Sequence, residues 1–383
     1  SLRELTVDLK GNYNDIMQSF KQYDFSFKYG ERFFDDFLGV QLHGNLENKI
    51  RSNERINLNY DQSINNQTDY EINNFLLDFT DEIRKRDGFG VLLDINTPNN
   101  GTIKFSNVFN STKRDYIDHN RDYPSGGGTG GAVTYSFQDV EREISTFNSS
   151  LTGDNTLFDF TVNWGLSFAQ SISETPYDYY IDFLEASNAG VSGMKNTPHI
   201  NSDPEQLIPY AYNNFKAATL YSAIFRTNKN FDKEKTAFLN LSREYVLTNN
   251  VSGTFKFGGK YKTVNRSYVN SYAYSPYYLG YWQPYQKNSD GTITPKDLSN
   301  TEFAPFFQRY KQNPFNKSLS FSETLDADPQ SRDIYDMYKL FPLINRDKMR
   351  EWYDINKNGI SQNGKTLEYN SDPTVDANFY DIK

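Results

Sequence analysis

Long runs of strict period-two alternation constrain this chain more than any other feature of its sequence. From Phe158 to Ala169, Phe158, Phe160, Val162, Trp164, Leu166 and Phe168 fall on one side, and Asp159, Thr161, Asn163, Gly165, Ser167 and Ala169 on the other. Only an extended strand with one apolar and one polar face satisfies that period. From Val251 to Thr263, Val251, Phe255, Phe257 and Tyr261 share a side with Gly253 and Gly259, opposite Ser252, Thr254, Lys256, Lys260 and Lys262. Soluble strands average about five or six residues. Roughly eleven residues tilted near 45° climb about 25 Å, the height of the apolar band of a membrane barrel.

Weaker copies extend the pattern to about nine strands, near 22–30, 39–49, 55–61, 88–96, 102–110, 139–151, 156–169, 237–247 and 251–268. Short connectors join several of them: Thr97-Pro98-Asn99-Asn100-Gly101, Thr152-Gly153-Asp154-Asn155 and Thr248-Asn249-Asn250. These residues tolerate positive φ, as hairpin turns require. The other connections are long, at about 61–86, 110–138, 170–236 and 270–383, the last two the largest, and they include a Gly-rich run from Ser125 to Gly131. One helix is expected from about Pro204 to Phe225, opened by Asp203-Pro204-Glu205. Long and short connectors alternate, which places the long loops at one end. The predicted fold class is therefore all-β, an antiparallel transmembrane β-barrel segment with short turns on one side and long loops with minor helix on the other. An odd number of strands does not close such a barrel, so the 383 residues read as a piece of a larger one.

Composition agrees. Mean hydropathy is strongly polar at −0.76, yet the chain holds 29 Tyr and 30 Phe. Disordered chains are poor in aromatics, whereas a barrel with one wet and one greasy face needs both kinds of residue. No apolar run reaches the ~18 residues of a membrane helix, and the N-terminus lacks a signal-peptide pattern. The formal charge of −9 argues against a nucleic-acid partner. Cysteine is absent, which excludes disulfides and thiolate chemistry.

Residues that could carry chemistry are few. His43, His119 and His199 are the three histidines, and their spacing suits neither a zinc site nor a triad. His43 is expected on a polar strand face, and the other two in loops. The carboxylates Asp35, Asp36, Asp81, Glu82, Glu141, Glu143, Asp326 and Asp328 read as solvated charge, and no catalytic site is expected. Asp354, Asn356 and Asn358, followed by Gly359, match the opening of a calcium loop, but Lys365 stands where the bidentate glutamate belongs. A calcium-binding outer loop and an Asn/Gly-rich surface turn both fit. The densest aromatic cluster is Tyr272, Tyr274, Tyr277, Tyr278, Tyr281, Trp282 and Tyr285. It reads as a ligand-stacking surface, an interfacial girdle or packing within a folded loop.

The run Phe37-Leu38-Gly39-Val40-Gln41, with Asn45-Leu46-Glu47-Asn48-Lys49 and Arg51, resembles the first barrel hairpin of large TonB-dependent receptors of the SusC-like or carboxypeptidase-regulatory-like kind. Arg86-Asp87-Gly88 and Phe255-Lys256-Phe257-Gly258-Gly259-Lys260-Tyr261-Lys262 look similar to the same family. The resemblance is diffuse but spans essentially the whole chain. It implies energised nutrient uptake across the outer membrane of a Gram-negative bacterium. The implied partners are the remainder of the barrel and its plug, TonB, outer-membrane lipid and a surface lipoprotein lid. Apart from a calcium ion in an outer loop, the residues call for no cofactor. The contrasting reading is a secreted all-β module, an adhesin-like sandwich binding glycan or protein. That reading requires shorter strands and a second sheet facing the apolar side.

Overall fold

The computed structural model describes residues 3–62, 69–98, 100–124, 132–185, 203–210, 213–275, 285–312, 319–326, 333–335, 337–340, 342–357 and 380–382. The chain is all-β and antiparallel. Among the described residues ten main strands follow one another: β1 (Glu4–Asn14), β2 (Ser19–Phe33), β3 (Leu38–Ile50), β4 (Asn53–Gln62), β5 (Tyr70–Thr97), β6 (Gly101–Pro124), β7 (Val133–Leu157), β8 (Phe160–Glu185), β9 (Thr219–Thr248) and β10 (Val251–Ser275). They form one sheet in chain order, except that β4 continues β3 along the same partner, β5. A short strand, Tyr380–Ile382, pairs with the far end of β10. Among the described residues β1 does not pair with β10, so the sheet stays open.

The strands run much further than the alternation marked out. β5 to β10 are 24 to 30 residues long. At about 3.3 Å per residue and 45° tilt, such strands rise some 55–70 Å, over twice the ~25 Å of a barrel's apolar band. Most of the loops expected at 61–86, 110–138 and 170–236 are therefore strand. Charged residues interrupt the apolar stripe partway along each strand, at Lys113 and Asp115, at Glu141 and Glu143, and at Glu174. In β8 an extra residue between Thr175 and Asp178 also shifts the phase. That bulge keeps Tyr179, Ile181 and Phe183 on the same face as Trp164, Leu166 and Phe168, although their numbers change parity.

The turn expected at Thr152–Asn155 is also strand. β7 runs on to Leu157, and the hairpin turns at Phe158 and Asp159, both at positive φ (49° and 63°). Gly153 serves packing instead: the Trp164 ring lies over it, and a Cβ there would come within 2.3 Å of Nε1.

All connectors at the Phe158 end are short, at 34–37, 98–100, 158–159 and 249–250. At the opposite end they lengthen from 15–18 through 63–69 and 125–132 to 186–218. Near that end a cap packs on the sheet. The predicted helix at 204–225 is only a 3-10 turn, Pro204–Tyr210, and Thr219 already belongs to β9. The helices of the cap are α1 (Ala304–Gln312) and α2 (Arg346–Asn356). Asn345 caps α2, its side chain accepting from the Lys348 amide at 2.9 Å. Met349, Trp352 and Asn356 form its buried side. Met349 and Trp352 meet Phe303, Phe306, Tyr179 and Ile181 in one core that extends to Phe75, Tyr123 and Tyr135.

Candidate functional site

Register assigns every strand residue to one of two faces, and the faces differ in chemistry. One carries Leu5, Val7 and Leu9 on β1, Phe25, Phe27 and Tyr29 on β2, Val40, Leu42 and Leu46 on β3, and Phe89, Val91 and Leu93 on β5. It continues through Phe105 and Phe109, Phe147 and Leu151, Trp164, Leu166 and Phe168, Leu239 and Leu241, to Phe255, Phe257 and Tyr261. Many are exposed: Leu166 is 54% accessible, Phe257 68% and Leu9 75%. Isolated exposed hydrophobics are ordinary, but a contiguous band across nine strands marks a surface built to face something apolar. The band crosses the register diagonally, as tilted strands require.

The opposite face is polar. His43 lies there with Gln41 and Asn45, and its ring fills the space beside Gly90, where a Cβ would come within 2.1 Å. Ion pairs knit the face across strands: Lys28–Glu4 at 3.2 Å, Lys262–Glu234 at 2.7 Å and Arg266–Asp232 at 2.6 Å. Arg32 reaches Asp94 at 2.8 Å across Gly39, a position where any side chain would stand between them. Exposed pairs of this kind contribute little stability each. Their meaning is that this face is wet.

Beyond the band, the apolar face dives under the cap. Asp139 is fully buried there and accepts from Arg346 Nε at 3.0 Å and Arg350 Nε at 2.6 Å. Arg346 also pairs with Asp115, and Arg350 with Glu141 at 2.7 Å. The two arginines sit one helical turn apart on α2, so both reach one carboxylate. Glu141, expected as solvated charge, is instead part of this clamp. The i, i+4 arginine pair behind an Asn cap was the available signal.

His119 corrects a further expectation. It is not in a loop but buried in β6, stacked on Phe79 (6.2 Å, 12°) and edge-on to Phe137 (5.4 Å). Burial, with Arg121 nearby, pushes its imidazole down to about 3 from an ordinary value near 6.5. The fold thus holds the ring neutral while the unfolded chain takes up a proton, so stability falls as pH drops below about 6.5. By about pH 5 the loss should be ~2 kcal/mol. The His119→Phe variant should lose that part of the pH dependence, read as Trp352 fluorescence during urea titrations. An equally steep decline in the variant would assign it to other groups.

Of the aromatic cluster, Tyr272 is half-buried on the polar face of β10, Tyr274 lies in the same strand, and Tyr285 opens the short strand Tyr285–Lys287. Tyr277, Tyr278, Tyr281 and Trp282 lie outside the described residues, as do Asn358 and His199. Asp354 and Asn356 close α2 rather than opening a loop. Asp354 pairs with Lys357 at 2.9 Å, and buried Asn356 donates to the Trp352 carbonyl at 2.8 Å. Two positions apart on a helix, they point to different sides. Among the described residues no three His, Cys, Asp or Glu side chains gather as a metal centre.

No family model and no curated protein matches the chain. Among solved structures it has a likeness to BauA, the ferric preacinetobactin receptor of Acinetobacter baumannii, at 10% identity and a TM-score of 0.13, covering 76% of this chain and 50% of that one. The chain spans about half that receptor's length, and a likeness of this size carries no weight for fold or function.

Proposed function

We propose that the chain forms part of the wall and outer loops of an outer-membrane uptake receptor of the TonB-dependent kind. The observation that supports this most directly is the continuous apolar band, set back to back with an ion-paired polar face. In this reading hydrocarbon covers the band, and the polar face lines a water-filled lumen. The short turns then lie on the periplasmic side, and the capped half stands outside the cell. Further barrel strands would pair with the free edge of β1 and with β10, and a plug would occupy the lumen. The sequence resemblance to SusC-like receptors supports the same class, and with it a surface lipoprotein as partner. A secreted sandwich fits less well. Apart from two two-stranded hairpins, the described residues form no second sheet to cover the band.

Trp164 tests the reading. Its indole lies on the apolar face and donates to Asn155 Oδ1 at 3.1 Å, which fixes it near the short-turn end of the band. In a variant with Trp282→Phe and Trp352→Phe, its emission should be quenched by lipids brominated along the acyl chain and left almost untouched by aqueous acrylamide. The reverse pattern sinks the membrane wall.

A further inference from the structure

The apolar band is not uniformly smooth. Between β6 and β10 it holds an open groove of about 370 Å³ whose apolar lining is Phe105, Leu151, Leu166, Phe168, Ala237 and Tyr261. The depression exists because small side chains, Ser149 and Ala237, stand among large ones on the same face. Lys235 also lines the groove, next to Phe168 in the register and on the long-connector side of Ala237. Two residues further along the same face of β9 comes Lys233, its ammonium 5.2 Å from the Phe231 ring centroid. Both lysines are exposed. Among the described residues neither has a carboxylate partner, whereas Lys229 on the same face of β9 is paired with Glu174.

A greasy trough continuous with a lipid-facing band, ending in two unneutralised ammonium groups, matches one kind of molecule. We infer that the groove is a binding site for an anionic membrane lipid. One acyl chain lies along Leu166, Ala237 and Tyr261, and the headgroup phosphate is held between Lys235 and Lys233. This assignment rests on the membrane-wall reading and deepens it, because Lys235 and Lys233 lie toward the long connectors and so toward the outer leaflet. Charge complementarity selects the occupant. A zwitterionic headgroup would set its own ammonium against the two lysines, and a protein partner would leave the trough as the deepest part of a lipid-covered surface. Each lysine at a membrane surface contributes enough attraction to change anionic-lipid retention several-fold.

The test uses the full chain in nanodiscs of phosphatidylcholine carrying a minor fraction of phosphatidylglycerol, with native mass spectrometry counting the lipids retained after release. Phosphatidylglycerol should be retained over phosphatidylcholine. In the K233Q/K235Q double variant that preference should fall by roughly ten- to thirtyfold. The Ala237→Phe variant fills the trough and should lower retention of both lipids, while β circular dichroism reports that each variant is folded. An unchanged preference in K233Q/K235Q overturns the site. Displacement of the lipid by inorganic phosphate alone overturns the acyl half of it. A chain that enters the nanodisc, shows Trp164 quenching and yet does not discriminate loses only the lipid site. A chain that never enters loses the membrane wall as well.

Discussion

Arginine at position 166 is expected to cost 2–4 kcal/mol of unfolding free energy in a bilayer, and arginine at position 167 almost nothing. Depth-dependent penalties of about that size apply to Arg near the midplane of a barrel's lipid face, whereas lumen positions tolerate charge. Leu166 and Ser167 are adjacent and both exposed, and they differ chiefly in the face they present. Propensity, loop entropy and the neighbouring ladder are thus nearly matched, and the difference between the two variants isolates the surrounding medium. For a chain in water the expectation reverses in kind. A surface Leu that is 54% accessible, replaced by Arg, should change stability by no more than about 0.5 kcal/mol. Urea unfolding of Leu166→Arg and Ser167→Arg in liposomes reads the difference directly. Equal midpoints would remove the lipid from the picture.

The lower half of the sheet was legible because lipid and water each impose one polarity on alternate residues, and nothing else modulates the pattern. Phe158 to Phe168 and Phe255 to Tyr261 carry it with little interruption. The upper half keeps the same alternation in Phe75, Leu77 and Phe79, or Tyr135 and Phe137, but a belt of charge separates it from the band. In β8 the bulge at Thr175–Asp178 also inverts its phase. A fixed-period search sees two unrelated short runs there instead of one long strand. The cap was harder still. Its core combines residues as distant as Phe75 and Trp352. His119 looked solvated because nothing local in Asp118-His119-Asn120 announces the rings of Phe79 and Phe137 from neighbouring strands. Lys233 and Lys235 fall inside the loop expected at 170–236, and only the register shows them opposite Gln170 and Phe168, on the apolar face.

One buried carboxylate, Asp139, is shared by both arginines that tie α2 to the sheet, and its removal should have the largest effect. Asp139 is fully buried and takes hydrogen bonds from two guanidinium groups of α2. Asp139→Ala deletes the shared partner and leaves Arg346 and Arg350 against an apolar wall. Breaking a buried ion pair from one side costs about 3–5 kcal/mol. Both arginines are about one-third exposed and retain Asp115 and Glu141, so the lower end of that range is expected. The loss should be local. Amides of α2 should exchange faster in hydrogen–deuterium experiments, and Trp352 emission should shift to the red, while β8 and β9 within the band stay protected. A change that removes Asp139 together with both of its arginines separates pairing from packing. The Asp139→Leu, Arg346→Met, Arg350→Met triple variant leaves no buried charge uncompensated and should recover most of the stability. If Asp139→Ala left exchange in α2 unchanged, the hydrophobic contacts of Met349 and Trp352 would be holding the cap alone, and the clamp would have no part in its docking.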